Sequence, residues 1–148
     1  DLVLTLAQAP LKFVAANGQA VKSGLVDEAE AWLTFENGLI ATLSASRVAE
    51  TQERKLSVTE PGTQFNADLS VPSLSILTRG VPGAEPDSLV LPQRDNLAVE
   101  VDVFLRAVAT GVAPEVDGRA GLAALEVAER ITEAIRESAA SRQMEPVT

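Results

Sequence analysis

Short apolar runs separated by turn residues fill the first half of the chain, and this pattern predicts β-strands. After a short helix over residues 1–9, which Pro10 ends, the run LKFVAANG predicts the first strand. In EAEAWLTFENGLIATLSASR, the pair Asn37-Gly38 separates two runs and predicts a β-hairpin with a two-residue turn. RKLSVTE, TQFNADLS and PSLSILTRG extend the prediction to about five or six mostly antiparallel strands.

The predicted hairpin is apolar on both faces. A two-residue turn places Trp32 opposite Leu43 and Phe35 opposite Ile40. One face then carries Ala29, Ala31, Leu33, Phe35 and Ile40, and the other carries Trp32, Leu39, Ala41, Leu43 and Ala45. Because exposed apolar surface costs about 25 cal/mol per Å², each face is expected to be covered.

Two amphipathic helices are predicted in the last third of the chain. Apolar residues recur at helical spacing in residues 96–110 (Leu97, Val101, Phe104, Leu105 and Val108), and Gly111 suits a C-cap. A second stripe follows in residues 118–138, formed by Leu122, Leu125, Ala128, Ile131 and Ile135. Residues beyond Ser138 are expected to form a frayed tail.

These elements predict an α+β fold in which an open, mostly antiparallel sheet has helices packed on one face. Two helices suffice for one face only, so the other face is expected to be an oligomer interface formed by Trp32, Leu39 and Leu43. A second copy of the chain is the simplest partner because it satisfies two-fold symmetry. The alternative is that long loops of the chain itself fold over this face.

Composition limits the classes of partner. The chain has 148 residues, a length that favours one domain over residues 1–148. Its formal net charge of −9 disfavours binding to nucleic acid or anionic membranes.

The residue types that are absent limit the chemistry. The sequence has no Cys and no His, which excludes disulfides, Cys nucleophiles and Ser/His/Asp catalysis and leaves no predicted metal site. The lack of Cys, of a membrane span and of a signal peptide favours a cytoplasmic location.

Few polar residues stand out as candidates for a site. The carboxylates of Asp27, Glu28, Glu30, Asp68 and Asp117 are near predicted turns or strand ends, where caps and turn formers are the ordinary roles. Asp95 and Asp117 are placed as helix N-caps. Arg47 and Arg54 flank the end of the hairpin, where they could bind an anion bidentately or protect a strand edge.

The order of these segments resembles the C-terminal domain of the Gfo/Idh/MocA family of NAD(P)-dependent oxidoreductases across nearly the whole chain. The matching segments are DLVLTLAQAPLKFVAANG, VDEAEAWLTFENGLIATLSASR, RKLSVTEPGTQFNADL and DNLAVEVDVFLRAVATGVAPEVDGRAGLAALEVAERI. The resemblance implies an N-terminal Rossmann domain that is absent from this chain, and a catalytic His a few residues before Asp1.

By this resemblance, the intact enzyme transfers a hydride between NAD or NADP and a hydroxyl-bearing carbon of a sugar, polyol or nucleotide sugar. This chain would supply the wall of the substrate cleft and a dimer or tetramer interface. Alone it is expected to be inactive, without catalytic, cofactor or metal residues. Arg47 and Arg54 are the expected substrate contacts, and UDP-N-acetylglucosamine-like sugars are the expected substrates. The alternative is a free-standing, non-enzymatic α+β module that binds a protein partner.

Overall fold

The computed structural model describes residues 1–81, 83, 85–114 and 116–144. The chain divides into two compact units, Asp1–Ala49 with Ala113–Thr148, and Glu50–Val112. In chain order the elements are α1 (Leu2–Ala7), β1 (Leu11–Gln19), β2 (Glu28–Phe35), β3 (Ile40–Ser46), β4 (Lys55–Glu60), β5 (Thr63–Asp68), β6 (Ser73–Thr78), β7 (Asp87–Val90), α2 (Asn96–Thr110) and α3 (Gly118–Met144).

The predicted α+β class and the antiparallel pairing are confirmed. The strands form two open sheets, β1-β2-β3 in the first unit and β4-β5-β6-β7 in the second, where one sheet of about five or six strands was expected. The structure divides the chain into two compact units. The single domain over residues 1–148 stays a prediction.

The hairpin loop contains three residues, so the predicted two-residue turn is wrong. The amide of Phe35 donates to the carbonyl of Leu39 at 2.9 Å, and the amide of Gly38 donates to the carbonyl of Phe35 at 3.0 Å. Gly38 takes φ +87°, which a side chain would disfavour. This loop shifts β3 by one residue, and such a shift turns every side chain of a strand to the other face.

The shift exchanges the predicted faces of β3. Leu43 pairs with Ala31, and Ile40 pairs with Thr34. Leu39, Ala41 and Leu43 therefore pack on the core side with Leu33 and Phe35, while Ile40 lies on the side of Trp32. The expectation that Leu39 and Leu43 share a face with Trp32 is wrong for this reason.

The core of the first unit lies between α3 and one face of β1-β2-β3. Leu33 and Phe35 are the largest fully buried side chains, at 1 % and 2 % exposure. On α3, packing against the sheet comes from Val127, Ile131, Ala134 and Ile135. Leu122 and Leu125, which the sequence assigns to the buried stripe, are more than half exposed.

Polar contacts fix both ends of this unit. Asn37 in the hairpin loop donates from Nδ2 to the carbonyl of Ala7, the last residue of α1, at 2.8 Å. Its Oδ1 accepts from the amide of Leu39 at 3.1 Å. At the other end, Arg142 donates to the carbonyl of Gly18 at 3.2 Å, so α3 continues beyond Ser138 and the predicted frayed tail is wrong as far as Met144. Residues 145–148 of that tail lie outside the described residues.

The sheet of the second unit has one mainly apolar and one mainly polar face, with Asp87 on the first and Leu77 and Val90 on the second. The apolar face carries Leu56, Val58, Phe65, Ala67, Leu74, Ile76 and Leu89. On the polar face, Ser57 and Gln64 both donate to Oδ1 of Asn66, at 2.8 Å and 3.0 Å.

Helix α2 begins and ends at the residues that the sequence predicts, but its apolar stripe is not buried as expected. Asp95 accepts from the amide of Ala98 at 3.1 Å, and Gly111 ends the helix in the left-handed conformation, as the sequence indicates. The apolar stripe of α2 is largely exposed, with Phe104 at 64 %. The expectation that two helices cover one sheet face therefore holds only for α3 on β1-β2-β3.

The substitution Gly18→Ala tests the contact between α3 and β1. An added Cβ would lie 2.8 Å from Cγ1 of Val26 and 2.9 Å from Cγ2 of Ile135. We expect this overpacking to lower the free energy of unfolding by about 1–3 kcal/mol in urea denaturation. Gly24→Ala is the matched control, because its Cβ would meet no atom within 4 Å. Equal stability of the two variants would contradict the proposed close contact.

Candidate functional site

The side of β1-β2-β3 opposite α3, called here the open face, is an exposed surface formed by regular structure in the first unit. Strand register assigns twelve residues to it: Phe13, Ala15, Asn17, Gln19, Glu28, Glu30, Trp32, Thr34, Ile40, Thr42, Ser44 and Ser46. The half near the hairpin loop is apolar, and the half beyond Trp32 is polar. The prediction that both faces of the hairpin are apolar is therefore correct for only half of this face.

The apolar half consists of large side chains that remain accessible. Phe13, Trp32 and Ile40 are 55 %, 48 % and 58 % exposed. The long loops predicted as an alternative cover do not bury them. Of the three predicted interface residues, Trp32 lies here, whereas Leu39 and Leu43 pack against the helix-covered core.

The polar half forms an ordered row of side chains across the three strands. Glu28 accepts from Nε2 of Gln19 at 2.7 Å and from Oγ of Ser46 at 3.3 Å. Next to this row lie Glu30 and Asn17, paired across β1 and β2. The sequence predicts ordinary strand-end roles for Glu28 and Glu30. Their alternation with Ala29 and Ala31 indicates that both occupy one face.

Asp27 is the one buried charged residue within the described chain, at 5 % exposure. The amides of residues 21–23 donate to its Oδ2 at 2.9, 2.8 and 2.9 Å, and Oγ of Ser23 donates to Oδ1 at 2.9 Å. These hydrogen bonds, the backbone bond from Ser23 first, hold the pKa of the Asp27 carboxyl far below its ordinary range. The carboxylate thus fixes the loop between β1 and β2.

Arg47 and Arg54, the predicted substrate contacts, lie in different units. Both side chains are exposed, and within the described residues neither guanidinium has a hydrogen bond or an ion pair. The backbone of Arg47 is fixed, because its amide donates to the carbonyl of Asp27 at 2.8 Å. The carbonyl of Arg54 accepts from the amide of Leu69 at 2.7 Å.

The remaining predicted carboxylates have structural roles. Asp117 accepts from the amides of Arg119 and Ala120 as the N-cap of α3, as predicted. Asp68 accepts from the amides of Val71 and Ser70, and these bonds lower the pKa of Asp68.

Neither a metal site nor a membrane span is found in the described chain. Its Asp and Glu residues form no group that could hold a metal ion. Among its helices, none combines the length and the apolar character that crossing a bilayer requires. The cytoplasmic location stays a prediction.

Comparison with known proteins shows that this chain is similar to part of several sugar oxidoreductases. UDP-N-acetylglucosamine 3-dehydrogenase from Acidithiobacillus ferrooxidans is 33 % identical over 141 residues, which cover 91 % of this chain and 45 % of the relative. A solved structure of that enzyme matches with a TM-score of 0.83, covering 90 % of this chain and 43 % of that one. No family model matches the chain.

More distant structures share the fold. Aldose-aldose oxidoreductase from Caulobacter crescentus matches at 22 % identity with a TM-score of 0.74, over 92 % of this chain and 42 % of its own. Levoglucosan dehydrogenase, solved with NADH and L-sorbose, matches at 12 % identity with a TM-score of 0.75, over 86 % and 43 %. This chain matches one domain of the Gfo/Idh/MocA-type oxidoreductases. It spans less than half the length of these relatives, so the expected resemblance is confirmed for a partial domain.

The variant Asp27→Asn tests the carboxylate that fixes the loop. A folded-state pKa below the unfolded value adds stability above about pH 4, and this stability is lost as the pH falls through the folded pKa. We expect Asp27→Asn to lower the urea midpoint most at neutral pH, and the difference from the unsubstituted chain to shrink on acidification. Asp87→Asn, at an exposed position in β7, is the control. A difference that stays constant across pH would contradict the role given to the charge.

Proposed function

We propose that this chain is the C-terminal, substrate-binding and oligomerisation domain of an NAD(P)-dependent oxidoreductase that acts on a hydroxyl of a sugar, polyol or nucleotide sugar. The observation that carries this proposal is the 33 % identity to a UDP-N-acetylglucosamine 3-dehydrogenase across 91 % of the chain. A TM-score of 0.83 to the structure of that enzyme supports the same choice. A nucleotide sugar is therefore the first substrate class to test.

The dinucleotide belongs to another part of the proposed enzyme. A Rossmann-type site needs parallel strands and a glycine-rich turn at the start of a helix. All strand pairs of the described residues are antiparallel, and the sequence contains no G-x-G-x-x-G. The described residues therefore do not fit a dinucleotide of this kind, and hydride transfer requires the portion that the longer relatives contain.

Arg47 and Arg54 are the proposed contacts to the anionic part of the substrate. A guanidinium can donate two parallel hydrogen bonds to a phosphate, which gives both affinity and orientation. Both side chains are exposed, and neither is engaged by the described residues. The backbone bond from Arg47 to Asp27 limits the movement of the first of them.

The coding sequence immediately upstream of Asp1 tests the enzyme assignment. We expect an in-frame segment with G-x-G-x-x-G, because the proposed enzyme needs a dinucleotide domain. A start codon at that point would contradict the assignment and favour the free-standing interaction module.

Kinetics of the longer protein test the two arginines. With UDP-N-acetylglucosamine as substrate, Arg47→Ala and Arg54→Ala are each expected to raise KM about tenfold through the loss of a charged hydrogen bond. Arg119→Ala, exposed at the start of α3, removes the same charge as a control and should leave KM unchanged. Equal effects of all three substitutions would indicate a general charge effect and no specific contact.

The apolar half of the open face is the proposed contact between copies of the chain. Phe13, Trp32 and Ile40 present an exposed apolar patch, while Leu39 and Leu43 support it from the core side. Two copies related by a two-fold axis would cover each other's patch with identical surfaces. The proposed interface therefore keeps Trp32 from the sequence prediction and adds Phe13 and Ile40.

Two glutamate substitutions separate association from folding. Trp32→Glu places a charge on the exposed patch, so we expect a folded monomer in light scattering and circular dichroism. Leu43→Glu places the charge against the core, so we expect a loss of about 2–3 kcal/mol in unfolding free energy. If the unsubstituted chain is already monomeric at micromolar concentration, the proposed interface is wrong.

A further inference from the structure

Two Asn-Gly pairs of the first unit share the same local chemistry but have different surroundings. Asn37-Gly38 lies in the exposed loop between β2 and β3, whereas Asn17-Gly18 lies within β1. In such a pair, the amide nitrogen of the glycine can attack the side-chain carbonyl carbon of the asparagine, because glycine has no side chain to hinder the approach. The product is a five-membered succinimide ring, and water opens it to aspartate or isoaspartate.

The folded hairpin loop engages the atoms that this reaction uses. Nδ2 of Asn37, the leaving nitrogen, donates to the carbonyl of Ala7 at 2.8 Å. Oδ1 of Asn37 accepts from the amide of Leu39 at 3.1 Å. The amide of Gly38, the attacking nitrogen, donates to the carbonyl of Phe35 at 3.0 Å. These bonds fix the reacting groups, so attack requires that the side chain of Asn37 first be released.

One of these three bonds reaches outside the hairpin, and its acceptor belongs to α1. This helix has six residues, fewer than an isolated helix needs to be stable in water. Val3 and Leu4 pack it against the core, while Leu6 is about half exposed. Short elements with few buried contacts open locally without unfolding of the core. Release of α1 therefore frees the amide of Asn37 while the sheet stays intact.

The second Asn-Gly pair is protected by the sheet itself. Gly18 pairs with Ala29 in the ladder of β1 and β2. A Cβ at Gly18 would lie 2.9 Å from Cγ2 of Ile135, so α3 packs directly on this backbone. Oγ of Ser138 on α3 also donates to Oδ1 of Asn17. Reaction at Asn17 therefore requires loss of the ladder and of the contact with α3, which amounts to unfolding of the unit.

We infer that Asn37 is a deamidation site that the packing of α1 protects. After release of α1, the Gly38 nitrogen loses its proton and bonds to Cγ of Asn37, the bond from Cγ to Nδ2 breaks, and Nδ2 leaves as ammonia with that proton. Water then opens the ring, so one water is consumed for each ammonia released. In the aspartate product an oxygen replaces the Nδ2 donor, and two acceptors would face each other at Ala7. The bond to α1 is thus lost permanently.

Tryptic peptide mapping measures the two pairs separately. Cleavage after Lys12, Lys22 and Arg47 places them in peptides 13–22 and 23–47. Replacement of an amide by a carboxyl group adds about 1 Da to a peptide. The chain is incubated at mildly alkaline pH before digestion, and the same incubation in urea gives the unprotected rate of each pair. We expect both pairs to convert at similar rates in urea and slowly in the folded chain.

Two substitutions in α1 test the protection. Leu4→Ala removes packing of α1 on the core, so we expect conversion of Asn37 in the folded chain to become about tenfold faster while that of Asn17 stays unchanged. Leu6→Ala shortens an exposed side chain of the same helix and should leave both rates unchanged.

Three results would overturn this inference: conversion of Asn37 as fast in the folded chain as in urea, equal conversion of Asn37 in the Leu4→Ala and Leu6→Ala variants, or a parallel rise at Asn37 and Asn17 in Leu4→Ala. The last result would mean that the whole unit, and not α1, controls the reaction. This chemistry needs no substrate, dinucleotide or enzyme activity, so failure here leaves the proposed function intact.

Discussion

The close approach of α3 to β1 is the contact on which the first unit depends. Gly18 has no side chain, so Ile135 and the loop residue Val26 can both reach the backbone of β1. That approach lets Ile131 and Ile135 cover Ala16, Ala31 and Leu43 and brings Arg142 within hydrogen-bond distance of the Gly18 carbonyl. Because one long helix covers one face of only three strands, the opposite face stays accessible, and every candidate binding surface of this unit lies there or at its edges.

The helices and strands could be predicted from the sequence because hydrophobic periodicity and helix caps are local properties. Asp95, Gly111 and Asp117 act where helix ends were expected, and the strand runs in both sheets correspond to real strands. Strand register is different, since it depends on how a loop closes. Asn37-Gly38 suits two loop lengths, and only the hydrogen bonds of Phe35 distinguish them. One residue of error moved Leu39 and Leu43 to the wrong face.

The candidate site was harder to predict for the same physical reason. A polar row across three strands exists only when residues distant in sequence come into register, as Gln19, Glu28 and Ser46 do. The burial of Asp27 was equally hard to predict, because a carboxylate near a turn is ordinarily solvated. Trp32 was recognisable because a bulky aromatic residue in a predicted strand is informative by itself. Arg47 follows β3 and Arg54 precedes β4 in the sequence, and no local signal indicates that they fall in separate units.

The side chain of Asn37 links two elements that are far apart in sequence, since it bonds the last carbonyl of α1 and closes the hairpin loop. The end of α1 and the turn of the hairpin are therefore joined through one amide side chain. Because the same amide also closes the loop that sets the register of β3, the choice of which side chains of β3 face α3 is tied to the position of the chain's first helix.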